Sequence, residues 1–170
     1  MTLVVEDGSG LANAESYISV GDADTYHTAF GNTGWSGDTA TKEVALRNAT
    51  QYIDSTYLKR WKGTKNKSTQ ALMWPRYGVV TIDGWPITGT EIPLALKRAT
   101  AEAAMRALTE ELVPDITDPG TITFYAVEVG PISEKTAYAS RSQIKVYRVI
   151  DELLKDLILP SSSVLTIGEL

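Results

Sequence analysis

LALKRATAEAAMRALTEEL, residues 94–112, carries the strongest helical signal in the chain. Its residues have high helix propensity, and Pro93 immediately before it suits a first helical turn. Pro114 and Pro119 would break a helix that ran further. The many alanines leave room for another helix to approach closely. The stretch therefore predicts a helix from Leu94 to Leu112 that packs against other helices.

Two helical signals precede this stretch. Ser19, with Asp22 three residues later, forms a pattern typical of a capping box, so a short helix should begin there. The glycine-rich GNTGWSGD should end that helix. Thr41 can cap a longer helix, because apolar residues recur at helical spacing from there as far as Tyr57. Beyond it, KGTKNKST predicts a polar loop.

The character of the sequence changes after Pro119. TITFYAVEV is rich in β-branched and aromatic residues, a Gly-Pro turn follows, and ISEKTAY resumes an extended pattern. We therefore predict a projecting β-hairpin at about residues 121–138. Because an isolated hairpin is only marginally stable in water, we expect it to pack on a partner through Phe124, Tyr125 and Tyr138.

The C-terminal part combines a helix with an apolar tail. Apolar residues recur on one face from Gln143 onward and Pro160 stops the pattern, which predicts a helix from Ser142 to Leu159. The tail at 161–170 has three serines and then an apolar run that cannot bury itself, so we expect it to dock on a partner. Its docking residues would be Val164, Leu165, Ile167 and Leu170.

These segments together predict the fold class and the domain organisation. The class is mainly α: a small bundle of about four helices with one projecting β-hairpin and an extended C-terminal tail. Residues 1–160 should form a single domain that carries the hairpin, and residues 161–170 should form the docking tail. No run of about 18 apolar residues and no charged-then-apolar leader occurs, so we expect neither a membrane span nor a secretory signal.

The residue types that catalysis requires are scarce in this chain. It has no cysteine, so disulfides and thiolate zinc sites are excluded. His27 is the only histidine, and its aromatic neighbours favour a structural role over a catalytic one. GSGLAN lacks the third glycine of a dinucleotide-binding loop and predicts a turn. We therefore predict no enzymatic activity, no metal and no cofactor.

One basic segment, YLKRWKGTKNKSTQALMWPRY at residues 57–77, contrasts with an acidic chain. The net charge of the protein is −5 and that of the segment is +6, so the remaining chain carries −11 by subtraction. The overall charge argues against nonspecific binding of duplex DNA by the whole surface. The charges of the segment come from Lys59, Arg60, Lys62, Lys65, Lys67 and Arg76.

Two interpretations of the basic segment are open. Proteins that bind single strands interleave cations with aromatic side chains on which bases stack, as this segment does. Alternatively, Trp61 and Trp74 are buried anchors with satisfied indole N–H groups, Pro75 locks a connection between helices, and the lysines solvate a loop. In the second interpretation Arg76 and the preceding lysines face a neighbouring protein.

Several strings resemble a known family in the same order along the chain: VVEDGSGLANAESYISVGDAD, YLKRWKGTK with QALMWPR, IPLALKRATAEAAMRAL, and VGPISEKTAY before the leucine-rich last helix. They resemble a tailed-phage family often labelled DnaT-like single-stranded DNA-binding protein. In size and helical layout, members of this family are similar to head-tail adaptor proteins, also called connector or head-completion proteins. Such proteins sit as a ring beneath the portal.

The resemblance implies a structural virion protein that forms a ring between portal and tail. Such a ring, of about twelve copies by analogy, extends the DNA channel and provides the tail attachment site. Its partners would be the portal, a tail-proximal connector or tail terminator protein, its own copies, and the DNA that passes through, without any membrane. It would lie at the head-tail interface after assembly in the host bacterial cytoplasm. The alternative function is single-stranded DNA binding by residues 57–77.

Overall fold

The computed structural model describes residues 2–113, the two strands at 124–129 and 132–137, and residues 147–160. Within these residues the chain is mainly α-helical, with four helices and two short antiparallel sheets. This confirms the predicted fold class. The predicted tail at 161–170 lies outside the described residues, so its docking role stays a prediction.

The chain divides into two units. The helical unit consists of residues 1–112 and 147–170, and the second unit consists of residues 113–146. The helical unit contains a small sheet and the four helices: α1 (Val20–Ala29), α2 (Thr39–Thr56), α3 (Leu94–Ala107) and α4 (Arg148–Leu154).

Helix α3 is the centre of the helical unit, because it packs against α1, α2 and α4. Its small side chains are buried, which confirms that its alanines allow close approach of other helices: Ala99, Ala101, Ala103 and Ala104. The helix is shorter than predicted and ends at Ala107. Beyond it, the N–H groups of Thr109 and Glu110 both donate to the carbonyl of Arg106, which closes a turn.

The N-terminal ends of α1 and α2 are set by side-chain caps. The Ser19 hydroxyl accepts from the N–H of Asp22 at 3.1 Å and donates to its carboxylate at 2.8 Å, which confirms the predicted capping pattern. The cap predicted for α2 is wrong. Asp38 is the N-cap, and its carboxylate accepts from the N–H of Thr41 at 2.8 Å. A carboxylate there also interacts favourably with the helix dipole.

Helix α4 ends earlier than Leu159, the predicted end. It spans Arg148–Leu154, and residues 142–146 of the predicted helix lie outside the described part. Ile158 forms an antiparallel bridge with Trp61, and the N–H of Leu159 donates to the carbonyl of Arg60. The N–H of Ile158 still donates to the carbonyl of Leu154, but the carbonyl of Leu157 accepts from the N–H of Lys62, so the helical hydrogen bonds stop there.

One strand of a two-stranded sheet lies inside the polar loop predicted after α2, and the other lies seven residues beyond that loop. Strand β1 (Thr64–Lys65) pairs antiparallel with β2 (Arg76–Tyr77), with Thr64 opposite Tyr77. The chain enters β1 through Gly63, which has φ of +65°, and a Cβ atom there would lie 2.0 Å from the carbonyl oxygen of Tyr77. Only glycine fits this close approach.

The turn-rich sequence EDGSGL is organised around one buried carboxylate. Glu6 accepts hydrogen bonds from the N–H groups of Gly8, Gly10 and Leu11 at 2.9 to 3.0 Å. Three backbone donors compensate for the removal of this charge from water. GSGLAN is therefore a turn, as predicted, and its glycines allow the backbone to wrap around Glu6.

The second unit contains the predicted β-hairpin. Strand β3 (Phe124–Val129) pairs antiparallel with β4 (Ile132–Ala137), and the register runs from Phe124 opposite Ala137 to Val129 opposite Ile132. The predicted turn between the strands, and Tyr138 after β4, lie outside the described residues. The hairpin itself is confirmed, whereas the partner-binding role of its aromatic residues stays a prediction.

Candidate functional site

The aromatic side chains of the basic segment lie mostly in the core. Tyr57, Trp61 and Trp74 are buried, and Trp74 has no exposed surface. The ring centroids of Trp61 and Trp74 are 6.0 Å apart in an edge-to-face arrangement. Tyr77 is the exception, with 57% of its surface exposed. Neither tryptophan presents a face on which a base could stack.

The indole N–H groups of Trp61 and Trp74 lack the hydrogen bonds that were predicted for them. Both Trp61 and Trp74 have buried Nε1 atoms, and neither finds an acceptor within the described residues. We predicted satisfied N–H groups, and that prediction is wrong. The two rings are placed by apolar packing around Tyr57 and by the backbone on either side of them, not by indole hydrogen bonds.

The backbone before Pro75 is held by a buried tyrosine, Tyr17, and a partly buried carboxylate, Asp54. The Tyr17 hydroxyl accepts from the N–H groups of Met73 at 3.0 Å and Trp74 at 3.2 Å. It donates to the Asp54 carboxylate at 2.5 Å, and that carboxylate also accepts from Met73 at 3.0 Å. The Trp74-Pro75 peptide bond is cis. This network fixes the connection to α2, through Asp54, and to the chain just before α1, through Tyr17.

The electrostatics of this network follow from its burial. Loss of hydration raises the pKa of Asp54 to about 6, although its hydrogen bonds from Tyr17 and Met73 oppose that change. Burial also raises the pKa of the Tyr17 hydroxyl well above its ordinary value, with the nearby Asp54 charge as the second cause. At neutral pH the network therefore contains a partly desolvated carboxylate whose charge lowers the stability of the fold.

A pH-dependent stability follows for Asp54. The folded protein binds the Asp54 proton near pH 6, whereas the unfolded chain binds it only near pH 4, so acidification over this range favours the folded state. We expect the free energy of unfolding of the native protein to rise relative to that of Asp54→Asn between pH 7 and pH 4. The expected gain is up to roughly 3 kcal/mol.

Urea unfolding of both proteins across this pH range measures the Asp54 effect. The difference in the free energy of unfolding between the two proteins isolates the Asp54 effect, because acidification changes stability in the opposite direction through other carboxylates. Desolvation raises the pKa of Asp24, for example, but hydrogen bonds from Lys42 and Trp35 together with nearby positive charge lower that pKa below its ordinary value. A difference that stays constant or shrinks on acidification contradicts the prediction.

Arg76 makes its hydrogen bonds inside the fold and not on its surface. Its guanidinium donates to the carbonyls of Lys62 and Gly63 at 2.7 Å each and to that of Met73 at 3.2 Å. The residue is buried, and its burial lowers the pKa of the guanidinium. Arg76 therefore cross-links the two sides of the β1–β2 loop and does not contribute to an exposed basic patch.

Three other cations of the basic segment also bond to backbone carbonyls. Lys62 donates to Asp156 at 2.8 Å, Arg60 to Leu159 at 3.1 Å, and Lys65 to Gln70 at 3.1 Å. Lys62 and Arg60 thereby hold the chain that follows α4. Lys59 and Lys67 are exposed. The cations are therefore spread between structural contacts and solvent.

The contacts of His27 are those of a residue that stabilises the fold. Its Nε2 lies 3.1 Å from the carbonyl of Ala101 on α3, its Nδ1 lies 3.1 Å from the side-chain amide of Asn32, and its ring packs near Trp35. Burial lowers the pKa of the imidazole. Among the described residues no group of three or more His, Asp or Glu is placed to hold a metal ion.

One exposed loop of the structure was not predicted from the sequence. Residues 79–87, here called the apolar loop, present Ile82 and Trp85 to solvent with 81% and 72% of their surfaces exposed. The available signal was the Asp83-Gly84 pair between apolar residues, which is typical of a tight hairpin turn. No described helix is both long and apolar enough to cross a membrane.

The chain is similar to a known protein family. A model of the family described as "Putative DnaT-like ssDNA binding protein" matches residues 1–167. No curated protein matches the chain, and no solved structure matches it. The family match covers the helical unit, the hairpin strands and most of the C-terminal tail.

Proposed function

The chain belongs to this DnaT-like family. We propose that it is a structural virion protein of tailed phages. It forms a ring between portal and tail, extends the DNA channel and provides the tail attachment site. The proposal rests on the sequence resemblance to head-tail adaptors and on one structural observation, the burial of Trp61 and Trp74. Aromatic rings in the core stabilise the fold and are not available to bases.

The charge distribution is compatible with a channel. Outside the basic segment the chain carries a charge of −11, and four of the six cations inside it bond to backbone carbonyls. A strongly positive channel wall would bind phosphates and retain the DNA. An acidic protein lets DNA slide past it, which a conduit between head and tail requires.

The test of this proposal is recruitment to a portal. We expect the purified chain to join the portal ring encoded in the same genome and to raise its native mass by a number of copies that matches the ring symmetry. Native mass spectrometry or cryo-electron microscopy of the mixture measures this. A portal ring that recruits no copies, alone or with the tail-proximal connector, would reject the adaptor function.

Single-stranded DNA binding is the second candidate function. The family description names it, and Tyr77 remains exposed in a segment that also has Lys59 and Lys67 at the surface. One stacked base contributes about 1–3 kcal/mol, so Tyr77→Ala would then weaken binding by about 5- to 150-fold. Binding would also decrease steeply as salt rises.

Fluorescence anisotropy with a labelled oligo-dT decides between the two functions. Submicromolar binding at physiological salt that Tyr77→Ala or the double change Lys59→Ala and Lys67→Ala abolishes would place DNA binding first. Millimolar binding with no effect of Tyr77→Ala would leave the adaptor function as the proposal. Val44→Ala on α2 is a suitable control, because Val44 is exposed and lies outside the basic segment.

A further inference from the structure

Helix α4 completes the core of the helical unit, although the whole second unit precedes it in the sequence. It packs against α3, and its Ile150 and Leu154 side chains have no exposed surface. Leu157, just after the helix, is also buried. The chain therefore leaves the helical unit after Leu112, passes through residues 113–146, and returns to close the same core.

Tyr147 lies where the chain re-enters the helical unit. Its hydroxyl donates to the Glu110 carboxylate at 3.1 Å, so two residues 37 positions apart in the sequence meet. Its ring packs edge-to-face on that of Tyr52 in α2, with the centroids 5.6 Å apart. The guanidinium carbon of Arg106 lies 5.7 Å from the centroid of the Tyr147 ring. Tyr147 therefore joins α2, α3 and the start of α4 at one point.

The contacts of Tyr147 with Tyr52, Arg106 and Glu110, here called the Tyr147 clamp, are supported by their surroundings. Arg106 is held by the Glu102 carboxylate one turn earlier on α3, at 2.8 Å. Burial, and then the hydrogen bond to Glu110, raise the pKa of the Tyr147 hydroxyl, so the hydroxyl remains a donor at neutral pH. The clamp therefore holds together the two places where residues 113–146 leave and rejoin the helical unit.

A segment whose two ends meet can be exchanged for a short connection without moving the rest of a fold. Domain insertions are tolerated at such positions, because the host fold needs only to have its chain rejoined. The described part of the second unit is the hairpin of β3 and β4, and a two-stranded hairpin is at best marginally stable in water. We therefore expect the helices, and not the hairpin, to supply the stability of the helical unit.

We propose that residues 113–146 are an insertion in a helical fold that is complete without them, and that the Tyr147 clamp closes the base of the insertion. The helical unit then folds as one body from the segments on either side. This inference goes beyond the proposed function and does not rest on it. An insertion that the core does not need can carry or change a binding surface without loss of the fold.

Urea unfolding of the native protein and of two variants tests the insertion. In the first variant an eight-residue Gly-Ser linker, which reaches about 26–29 Å when extended, replaces residues 113–146. We expect it to keep helical far-UV circular dichroism and a cooperative transition, with a midpoint within about 0.5 M of the native protein. The second variant ends at Leu112 and so lacks α4. We expect its midpoint to fall by at least about 1 M, because the core loses Ile150 and Leu154.

Substitutions in the full chain and in the linker variant test the Tyr147 clamp. Tyr147→Ala should lower the urea midpoint by about 1 M in both backgrounds. It should also speed amide hydrogen exchange in the first turn of α4 by about 10-fold, with a smaller change in α1. Tyr147→Phe keeps the ring contacts and should lose less than half as much. The control Tyr77→Ala removes the same side chain from an exposed position and should shift the midpoint by less than about 0.3 M.

The possible results separate the insertion from its alternatives. A folded linker variant, together with a destabilised chain ending at Leu112, supports the insertion. If the linker variant and a version with a linker twice as long both lose cooperative unfolding, the second unit is part of the core and the proposal is overturned. Truncation after Leu112 without loss of stability also overturns it, because α4 would not then belong to the helical fold.

The clamp has its own decisive result. Equal midpoints and equal exchange rates for Tyr147→Ala and the native protein overturn the role of Tyr147. The proposed function is tested separately by recruitment to the portal, so failure of the insertion or of the clamp leaves that function standing.

Discussion

Replacing Trp74 with alanine is expected to lower the free energy of unfolding by about 3–5 kcal/mol. The side chain is completely buried and packs edge-to-face on Trp61. The backbone N–H group of Trp74 donates to the Tyr17 hydroxyl. Removal of an indole from this position leaves a cavity that the surrounding rings cannot fill. Since domains of this size are stable by only about 5–15 kcal/mol, much of the stability would be lost.

Urea unfolding monitored by far-UV circular dichroism measures the effect of Trp74→Ala without depending on tryptophan fluorescence. The matched control is Trp85→Ala, which removes the same side chain from an exposed position. We expect the control to remain within about 0.5 kcal/mol of the native protein. If both variants lost the same amount of stability, or if Trp74→Ala lost less than about 1 kcal/mol, the anchor role of Trp74 would be rejected.

The helices could be predicted from sequence because their signals are local. Apolar spacing, the Ser19 cap and the alanines of α3 lie within one or two turns of the residues that they control. The ends of α4 and α3 could not be predicted in the same way. Ile158, just after α4, forms a bridge with Trp61, a residue nearly 100 positions earlier, and no local sequence pattern predicts that pairing.

The role of the basic segment also depended on distant residues. Its sequence is equally compatible with a stacking surface and with a structural anchor, so both interpretations remained open. Tyr17 and Asp54 decide the position of Trp74, but they lie 57 and 20 residues away from it in the sequence. Burial in the fold, and not the identity of the residue, separates Trp74 from the exposed Trp85. A pattern of residue types cannot make that distinction.

Replacing Arg76 with methionine is expected to lower the free energy of unfolding by about 3 kcal/mol. Methionine fills a similar space but leaves the carbonyls of Lys62, Gly63 and Met73 without their donor. Each unsatisfied buried carbonyl costs about 1–3 kcal/mol, offset in part by water that reaches the loop. Arg76→Lys should restore little of this loss, because one ammonium group cannot reproduce the planar fork of donors.

The same substitution separates a structural role of Arg76 from a DNA-binding role. The matched control is Lys67→Met, which removes a cation from an exposed position of the same segment and should change the free energy of unfolding by less than about 0.5 kcal/mol. Urea unfolding and oligo-dT anisotropy are measured on both variants. If Arg76 contacted phosphates, Arg76→Met would keep its stability, bind more weakly and show a smaller salt dependence. We expect the reverse, a large loss of stability, because the three carbonyl contacts already occupy the guanidinium.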